Sequence, residues 1–322
     1  MHEITYIQAI NEALREELRH DPSTFLMGLD VWVGAFGATS GLTDEFGAER
    51  IRNAPISEAG YAGAGVGAAM AGMRPIVEIE FASFFYCCWD QVCNQAAKLR
   101  YMSGGQADIP ITFRSVYGAV GSAAAQHSET VYAQFMSVPG LKIVIPSTPY
   151  DMKGLLKSAI RDNNPVLVFE HMGLGRSRGQ IPDEEFLVPI GKGEVKQEGK
   201  DVTIVALGWM VPRALNAAKA LAQDGIAAEV VDPRTLVPLD EEIILNSVAK
   251  THRLLIVDEG HLRGGAAAEI AATVADKGFD LLDAPIKRLT TPDVPIPFSP
   301  ALEQFVIPDA KKIEAAVREL MG

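Results

Sequence analysis

Apolar residues recur with the period of a helix near the start of the chain. They stand three or four residues apart, so they share one face of an α-helix. These residues are Ile7, Ile10, Leu14 and Leu18. Thr5 precedes them and Gln8 follows three residues later, which is the pattern of a capping box at a helix start. The pattern predicts an amphipathic helix beginning after Thr5.

Short apolar runs alternate with helical patterns through the first part of the chain. Such runs suit strands that are buried on both faces, and their alternation with helices predicts an α/β fold with a parallel sheet. The predicted strands are 75–81, 110–114, 142–145 and 165–169. Thr148 followed by Pro149 predicts the start of a further helix, because a cap residue precedes proline at the first helical position.

Residues 83–102 form a long, mostly apolar stretch. Its composition predicts one buried or interfacial helix, ended by Gly104 and Gly105. All three cysteines of the chain lie in this stretch, without a metal-binding spacing. We therefore predict that Cys87, Cys88 and Cys93 are buried thiols.

The apolar residues lose their regular spacing between 173 and 200, and this stretch is rich in glycine, proline and charged residues. This change predicts two domains, at 1–180 and 201–322, joined by a linker at 181–200. The second domain is expected to be a smaller α/β unit. Its predicted strands are 202–207, 227–231, 254–257 and 286–289, and its predicted helices are 211–223, 240–249 and 265–276.

Charge and hydropathy exclude several classes of function. The net charge of −12 disfavours binding to a phosphate backbone, which needs clustered lysine and arginine. Residues 61–73 belong to the longest uncharged run near the start, but this run is mostly Gly and Ala and too short to span a bilayer. The first residues resemble no signal or transit peptide. We expect a cytoplasmic protein with no nucleic-acid or membrane partner.

The run GYAGAGVGAAMAG after Glu58 predicts a helix of very small side chains. A second element can approach the backbone of such a helix closely. Gly63, Gly65 and Ala68 also satisfy the spacing G-x-G-x-x-A of dinucleotide-binding turns. We disfavour that interpretation because the sequence predicts no strand before the helix.

Glu58 and His127 are the candidate chemical groups, and each has a simpler interpretation. Glu58 could be an acid favoured by the positive end of a helix, or a carboxylate that binds a ring nitrogen. His127 could be a structural histidine, or a proton-transfer group on a Gly/Ala-rich loop at a strand end, just before a helix that begins with Glu129 and Thr130. Spacing alone leaves both pairs of interpretations open.

The chain resembles the beta subunits of thiamine-diphosphate-dependent 2-oxo acid dehydrogenases, within the transketolase-like superfamily. The resemblance covers almost the whole chain. In the first domain it is carried by APISEAGYAGAGVGAAMAGMRPIVEIEF, DQVCNQAAKLRYMSGGQ, AAQHSE and VPGLKIVIPSTPYDMKGLLKSAIRDNNPVLVFEH. In the second domain it is carried by VDPRTLVPLD, VDEG and VPIPFSPALEQFVIPDAKKIEAAV. It implies a parallel-sheet pyrimidine-binding domain followed by a transketolase C-terminal-like domain.

The resemblance also implies roles for individual residues. Glu58 would hydrogen-bond the aminopyrimidine ring of thiamine diphosphate, Phe84 would pack on that ring, and Ile56 would belong to the same cofactor site. His127 would assist proton or acyl transfer. A monovalent cation, K⁺, would be bound mostly by backbone carbonyls, at the positions Ile109, Ile111, Thr112, Ala159, Asp162 and Asn164. The sequence departs from the family in SFFYCCWD, so Phe85, Tyr86 and Trp89 are expected to reshape the pocket or the subunit contact.

No Gly-Asp-Gly segment occurs in the chain, although thiamine enzymes use one to hold magnesium and the diphosphate. The resemblance implies that an alpha subunit supplies it in an alpha-two beta-two assembly, which passes the acyl group to a lipoyl-bearing acyltransferase. Pyruvate, branched-chain 2-oxo acids and acetoin all stay open as substrates. The alternatives are a single-chain transketolase-like enzyme and a noncatalytic scaffold subunit.

Overall fold

The computed structural model describes all 322 residues. The chain divides into two compact units: the first comprises residues 1–117 and 135–190, and the second comprises 118–134 and 191–322. A short segment from the middle of the chain, which carries His127, is therefore grouped with the carboxyl-terminal unit. The domain limits predicted from the sequence stay predictions.

The strands and helices alternate along most of the chain. The strands are β1 (His2–Thr5), β2 (Thr24–Leu29), β3 (Ile51–Ala54), β4 (Arg74–Phe81), β5 (Thr112–Tyr117), β6 (Lys142–Val144), β7 (Val166–His171), β8 (Arg178–Ile181), β9 (Glu194–Gln197), β10 (Val202–Ala206), β11 (Ala228–Asp232), β12 (Thr235–Val237), β13 (Leu254–His261) and β14 (Lys287–Thr291). The helices are α1 (Tyr6–His20), α2 (Leu42–Phe46), α3 (Glu58–Met70), α4 (Ala97–Met102), α5 (Ala124–His127), α6 (Tyr132–Met136), α7 (Pro149–Arg161), α8 (Met210–Gln223), α9 (Glu241–Thr251), α10 (Ala266–Lys277), α11 (Pro300–Val306) and α12 (Ala310–Met321).

The first unit is built on a parallel sheet. Its strands lie in the order β6-β7-β5-β4-β2-β3, and each neighbouring pair is parallel. All six residues of β7 are buried, as expected for a strand covered on both faces. The predicted α/β class is confirmed, and the four predicted strands correspond to β4, β5, β6 and β7. The pattern missed β2 and β3.

Two predicted helix starts are confirmed. The hydroxyl of Thr5 accepts a hydrogen bond from the Gln8 amide, and the Gln8 side chain accepts one from the Thr5 amide, so the capping box before α1 is complete. Thr148 caps α7 by accepting from the Asp151 amide, with Pro149 at the first helical position.

The prediction of one continuous helix over 83–102 is wrong. The chain forms a 3₁₀ helix at Ala82–Cys88, a π-helix at Gln91–Ala96 and only then α4. Backbone hydrogen bonds in this stretch change their spacing, which apolar composition alone does not reveal. Gly104 and Gly105 do end α4, since both have positive φ and their amides bond to the carbonyls of Tyr101 and Arg100.

The small-residue helix α3 packs closely on the sheet. A Cβ on Gly65 would lie 2.6 Å from Val77 Cγ2 on β4, closer than any real contact. A strand, β3, does precede this helix, so that sequence argument against dinucleotide binding was wrong. However, Gly63 and Gly65 lie inside the helix rather than in the turn before it, where a pyrophosphate would need them.

The second unit contains a five-stranded sheet in the order β14-β13-β10-β11-β9. Only β9 runs antiparallel to its neighbour. The four strands predicted here correspond to β10, β11, β13 and β14, and the three predicted helices to α8, α9 and α10. In contrast, β9 lies inside the range predicted as a linker, because its residues are only half-buried and give no apolar pattern. No helix in either unit is long and apolar enough to cross a membrane.

Candidate active site

Glu58 lies in the first turn of α3, immediately after the segment that leaves β3. Its side chain is buried, with 9% of the residue exposed. The carboxylate has no hydrogen-bond or ion-pair partner within the chain, and Ser57 before it provides no side-chain cap. The carboxylate oxygens are not completely enclosed by the protein, so a group outside the chain can reach them. The site therefore suits a donor that comes from outside the chain.

The groups around Glu58 offer it no neutralising charge. The hydroxyl of Tyr61, one turn along α3, is buried and also lacks a hydrogen-bond partner. Burial, with the nearby charge of Glu58, raises the pKa of Tyr61 above its usual range and the pKa of the Cys88 thiol to about 12. Burial and the charges of Asp30 and Glu58 also raise the pKa of Glu80. An incoming positively polarised N–H group would be stabilised by this surplus of negative charge.

Aromatic rings lie on the segment that follows β4. The Phe84 ring packs edge-on against Phe81 with centroids 5.5 Å apart, and Phe81 packs likewise on Phe36 at 5.4 Å. Phe84 is only partly buried, so part of its ring is available for contact. Such a ring orients a flat ligand without competing hydrogen bonds. Ile56 is 79% exposed and also free to contact a ligand or partner.

The unusual residues after Phe84 separate into core and surface groups. Phe85 is buried against Phe135 at 5.1 Å, and Trp89 tilts onto the same ring at 4.8 Å. Tyr86 is 49% exposed. Cys88 and Cys93 are buried thiols as predicted, but Cys87 is exposed. The prediction for Cys87 was wrong because the 3₁₀ helix turns neighbouring residues to different faces.

His127 is the last residue of α5, a single turn at Ala124–His127. The next helix, α6, begins at Tyr132, so the predicted helix start at Glu129 and Thr130 was wrong. His127 is partly buried and belongs to the second unit, whereas Glu58 and Phe84 belong to the first. The two candidate catalytic residues are thus carried by different units.

Sequence reasoning missed three buried acids that bind the segment carrying His127. Glu259 Oε1 accepts from the Ala119 amide at 2.6 Å, and Glu303 Oε2 accepts from the Ser122 amide at 2.9 Å. Asp258 accepts from the hydroxyl of Tyr132. These contacts join residues 126 to 181 positions apart. No local pattern in a sequence encodes partners so far apart.

A buried charge cluster in the first unit was also missed. Arg114 on β5 binds both oxygens of Glu170 on β7, at 2.7 and 2.8 Å, and also binds Glu78 on β4. All three side chains are almost completely buried. Neighbouring parallel strands place these residues side by side, so the cluster joins β4, β5 and β7 at the centre of the sheet.

The segments that carry the residues proposed for a monovalent cation meet at one end of the sheet. The Ile109 amide donates to the Asn163 carbonyl at 3.3 Å, which joins the two segments. Asp162 Oδ1 accepts from both nitrogens of Asn164 at 2.9 Å, and its carboxylate also binds Lys142. Burial opposes ionisation, yet Lys142 and Asn164 hold the pKa of Asp162 below its usual range.

Two parts of the chain match models of known protein families. Residues 2–177 match the transketolase pyrimidine binding domain, and residues 191–313 match the transketolase C-terminal domain. Among curated proteins, the chain is 50% identical to the beta subunit of acetoin:2,6-dichlorophenolindophenol oxidoreductase of Bacillus subtilis, over 99% of this chain and 97% of that protein. The chain belongs to the family of transketolase-like dehydrogenase beta subunits.

Other members of the beta-subunit family are nearly as similar. The 2-oxoisovalerate dehydrogenase subunit beta of Bacillus subtilis is 46% identical, with 98% of both chains covered. The pyruvate dehydrogenase E1 component subunit beta of the same organism is 44% identical over 100% of this chain and 99% of that protein. A solved structure titled as a split-gene transketolase, inactive beta4 tetramer, has the same fold, with a TM-score of 0.81, 24% identity and coverage of 99% of this chain and 98% of that chain.

Proposed function

We propose that this chain is the beta subunit of a thiamine-diphosphate-dependent dehydrogenase, an oxidoreductase that decarboxylates a 2-oxo acid such as pyruvate or a branched-chain acid. The acyl group would pass to a lipoyl-bearing acyltransferase. The observation that carries the proposal is the carboxylate of Glu58, which is buried at the start of a small-residue helix and has no partner in its own chain. Relatives named as beta subunits of 2-oxoisovalerate dehydrogenase and pyruvate dehydrogenase, 46% and 44% identical to this chain, support it.

The residues around Glu58 fit the pyrimidine end of thiamine diphosphate. Glu58 would accept a hydrogen bond from a ring nitrogen, which would satisfy its orphaned carboxylate. The exposed part of Phe84 would pack against the flat ring, and Ile56 would contact the cofactor beside it. Bound thiamine diphosphate supplies an electron sink for breaking the bond next to a carbonyl. His127 would transfer a proton at the reacting carbonyl oxygen or assist acyl transfer.

Acetoin is the second candidate substrate. The highest identity among the relatives above is to an acetoin oxidoreductase subunit, at 50%, against 46% and 44% for the 2-oxoisovalerate and pyruvate dehydrogenase subunits. Cleavage of acetoin needs the same electron sink next to a carbonyl, so the same residues would serve either substrate.

A partner chain would complete the site. Magnesium and the diphosphate need hard oxygen ligands and neutralising donors, and the sequence has no Gly-Asp-Gly segment to provide them. We assign these to an alpha subunit, in an alpha-two beta-two assembly with the cofactor shared between chains. The cytoplasmic location stays a prediction.

A monovalent cation, K⁺, would bind where Asp162 and Asn164 meet the segment before β5. Support comes from the ionised Asp162 carboxylate and from the carbonyls of the two joined segments. Oxygen ligands of this kind suit a hard cation. The proposed ligands are Ile109, Ile111, Thr112, Ala159, Asp162 and Asn164.

The experiment that tests the function is Glu58→Gln in the chain reconstituted with its alpha partner. Gln keeps the size of the side chain but cannot carry the charge that a ring N–H group needs. We expect turnover to fall by about 100-fold or more, while the assembly elutes unchanged in size-exclusion chromatography. Activity is measured with pyruvate, branched-chain 2-oxo acids and acetoin, using an artificial electron acceptor.

Glu242→Gln is the matched control, because Glu242 also lies in the first turn of a helix, α9, but is exposed. It should keep normal turnover. Equal activity of Glu58→Gln and the control would remove Glu58 from the chemistry and would favour the noncatalytic scaffold. The substrate with the highest kcat/KM in the reconstituted pair decides between 2-oxo acids and acetoin.

A further inference from the structure

The segment that carries His127 is bound to the second unit by buried acids on both sides of the histidine. We infer that Glu303 is a positioning residue, which holds the backbone before α5 so that His127 faces the reacting atoms. This inference rests on the proposed function of His127. It adds a role for the carboxyl-terminal unit in catalysis, through a residue 176 positions away from the histidine.

Glu303 binds the segment at a point where its backbone is unusual. Glu303 is 6% exposed, lies in the first turn of α11 and accepts from the Ser122 amide at 2.9 Å. Ser122 has φ of 62° and Ala124, which begins α5, has φ of 60°. Residues other than glycine rarely adopt this left-handed conformation, which persists only where surrounding contacts impose it. The carboxylate is such a contact, since a charged acceptor makes a stronger hydrogen bond to an amide than a neutral one.

The two other acids act farther from the histidine. Glu259 holds Ala119 at the start of the segment, where the Ala119 side chain is also buried in the core of the second unit. Asp258 holds Tyr132 at its end. The ends of the segment are thus secured without Glu303. Loss of Glu303 should therefore loosen the stretch from Ser122 to His127 and leave the fold intact.

A double-mutant cycle tests the inference in the chain reconstituted with its alpha partner. Glu303→Met removes the acceptor at similar length, and His127→Ala removes the imidazole. We expect kcat to fall about 10-fold in the first variant with KM nearly unchanged, and about 100-fold in the second. The double variant should be no slower than His127→Ala, within about 2-fold, because Glu303 acts only through the histidine.

Conservative variants separate positioning from general stability. Glu303→Gln keeps an acceptor oxygen and should restore kcat to within about 3-fold of the wild-type value. Glu303→Asp shortens the side chain by one methylene, which moves the acceptor away from the Ser122 amide. Its effect on kcat should depend on His127 in the same way as that of Glu303→Met. It therefore tests the inference if the Met variant does not assemble. Asp240→Leu is the matched control: Asp240 is 8% exposed and binds the Gly193 amide in the same unit, away from the segment. It should keep wild-type kcat.

Three outcomes overturn the inference in different ways. If the losses from Glu303→Met and His127→Ala multiply in the double variant, Glu303 does not act through His127, although the proposed function stands. If His127→Ala keeps wild-type kcat, the role of the histidine in the proposed function fails, and the positioning role fails with it. A Glu303→Met variant with wild-type kcat would also refute the inference.

Discussion

Buried carboxylates in this chain differ in what neutralises them. Glu170 and Glu78 share the guanidinium of Arg114 inside the sheet, while Glu303 and Glu259 accept backbone N–H groups. Glu58 has neither kind of partner. A polar group that folding leaves unsatisfied is expected where a ligand satisfies it instead. At the scale of single residues, this contrast is what distinguishes Glu58 from the structural acids.

The charge cluster of Arg114, Glu78 and Glu170 should make the stability of the chain depend on pH. Burial raises the pKa of Glu78 to about 6, from the usual 4.5, with Arg114 opposing and Glu170 adding to the rise. The Glu78 carboxyl therefore binds its proton more tightly in the folded chain than in the unfolded chain. As pH rises from about 4.5 to about 6, the contribution of Glu78 to the free energy of unfolding falls. Relative to Glu78→Gln, the free energy of unfolding of the wild type should fall by about 2 kcal/mol from about pH 4 to about pH 7.

Urea denaturation of both proteins across this range measures the difference. Because Gln does not titrate, the variant removes the contribution of Glu78, while acids distant from the cluster contribute equally to both curves. A difference that stays constant, or that increases with pH, would contradict the raised pKa.

At the scale of elements, α3 shows why the site lies at the start of a helix of Gly and Ala. The Gly65 backbone lies against Val77 on β4 and Ile111 just before β5, and this close approach leaves no room for a side chain. Gly67, two residues later, is exposed with nothing near its missing Cβ. The buried face of α3 is therefore set by packing on the sheet, which fixes the position of Glu58 at its first turn.

Gly65 and Gly67 allow a matched pair of substitutions that tests this packing. Gly65→Ala should destabilise the chain by about 1–3 kcal/mol, because the new methyl overlaps Val77. Gly67→Ala should stabilise it by up to about 1 kcal/mol, because alanine favours the helix. The free energy of unfolding of the isolated chain, from urea denaturation, measures both. Equal effects of the two substitutions would show that the close packing is not what requires Gly65.

At the scale of the whole molecule, the candidate catalytic groups are divided between units and chains. Glu58 and Phe84 belong to the first unit, and His127 with its three acids belongs to the second. The diphosphate end of the cofactor is assigned to an alpha partner. Binding of thiamine diphosphate should then require both chains.

Calorimetry tests this requirement. The isolated chain should bind thiamine diphosphate and magnesium at least about 100-fold more weakly than the reconstituted pair, because it contacts only the pyrimidine end. Mixing with the alpha subunit should restore both binding and turnover. Tight binding to the isolated chain would contradict the division of the site.

Much of the architecture could be predicted from local patterns. The start of α1 follows from Thr5 and Gln8, and the buried strands follow from uncharged apolar runs such as 165–169. The break of 83–102 into three kinds of helix could not be predicted, because hydrogen-bond spacing depends on packing against Phe135 and other distant residues. The strand β3 was missed since it is short and only its first and last residues are buried.

By itself, the sequence determined the α/β class, most strands and helices, the family and the identity of the candidate residues, because these depend on local periodicity and on motifs that are contiguous along the chain. Only the tertiary structure decided that Glu58 is buried without a partner and that His127 lies on a segment secured by Asp258, Glu259 and Glu303. The physical reason is distance along the chain. Burial and hydrogen bonding are set by residues more than a hundred positions apart, which approach one another only when the sheets have formed.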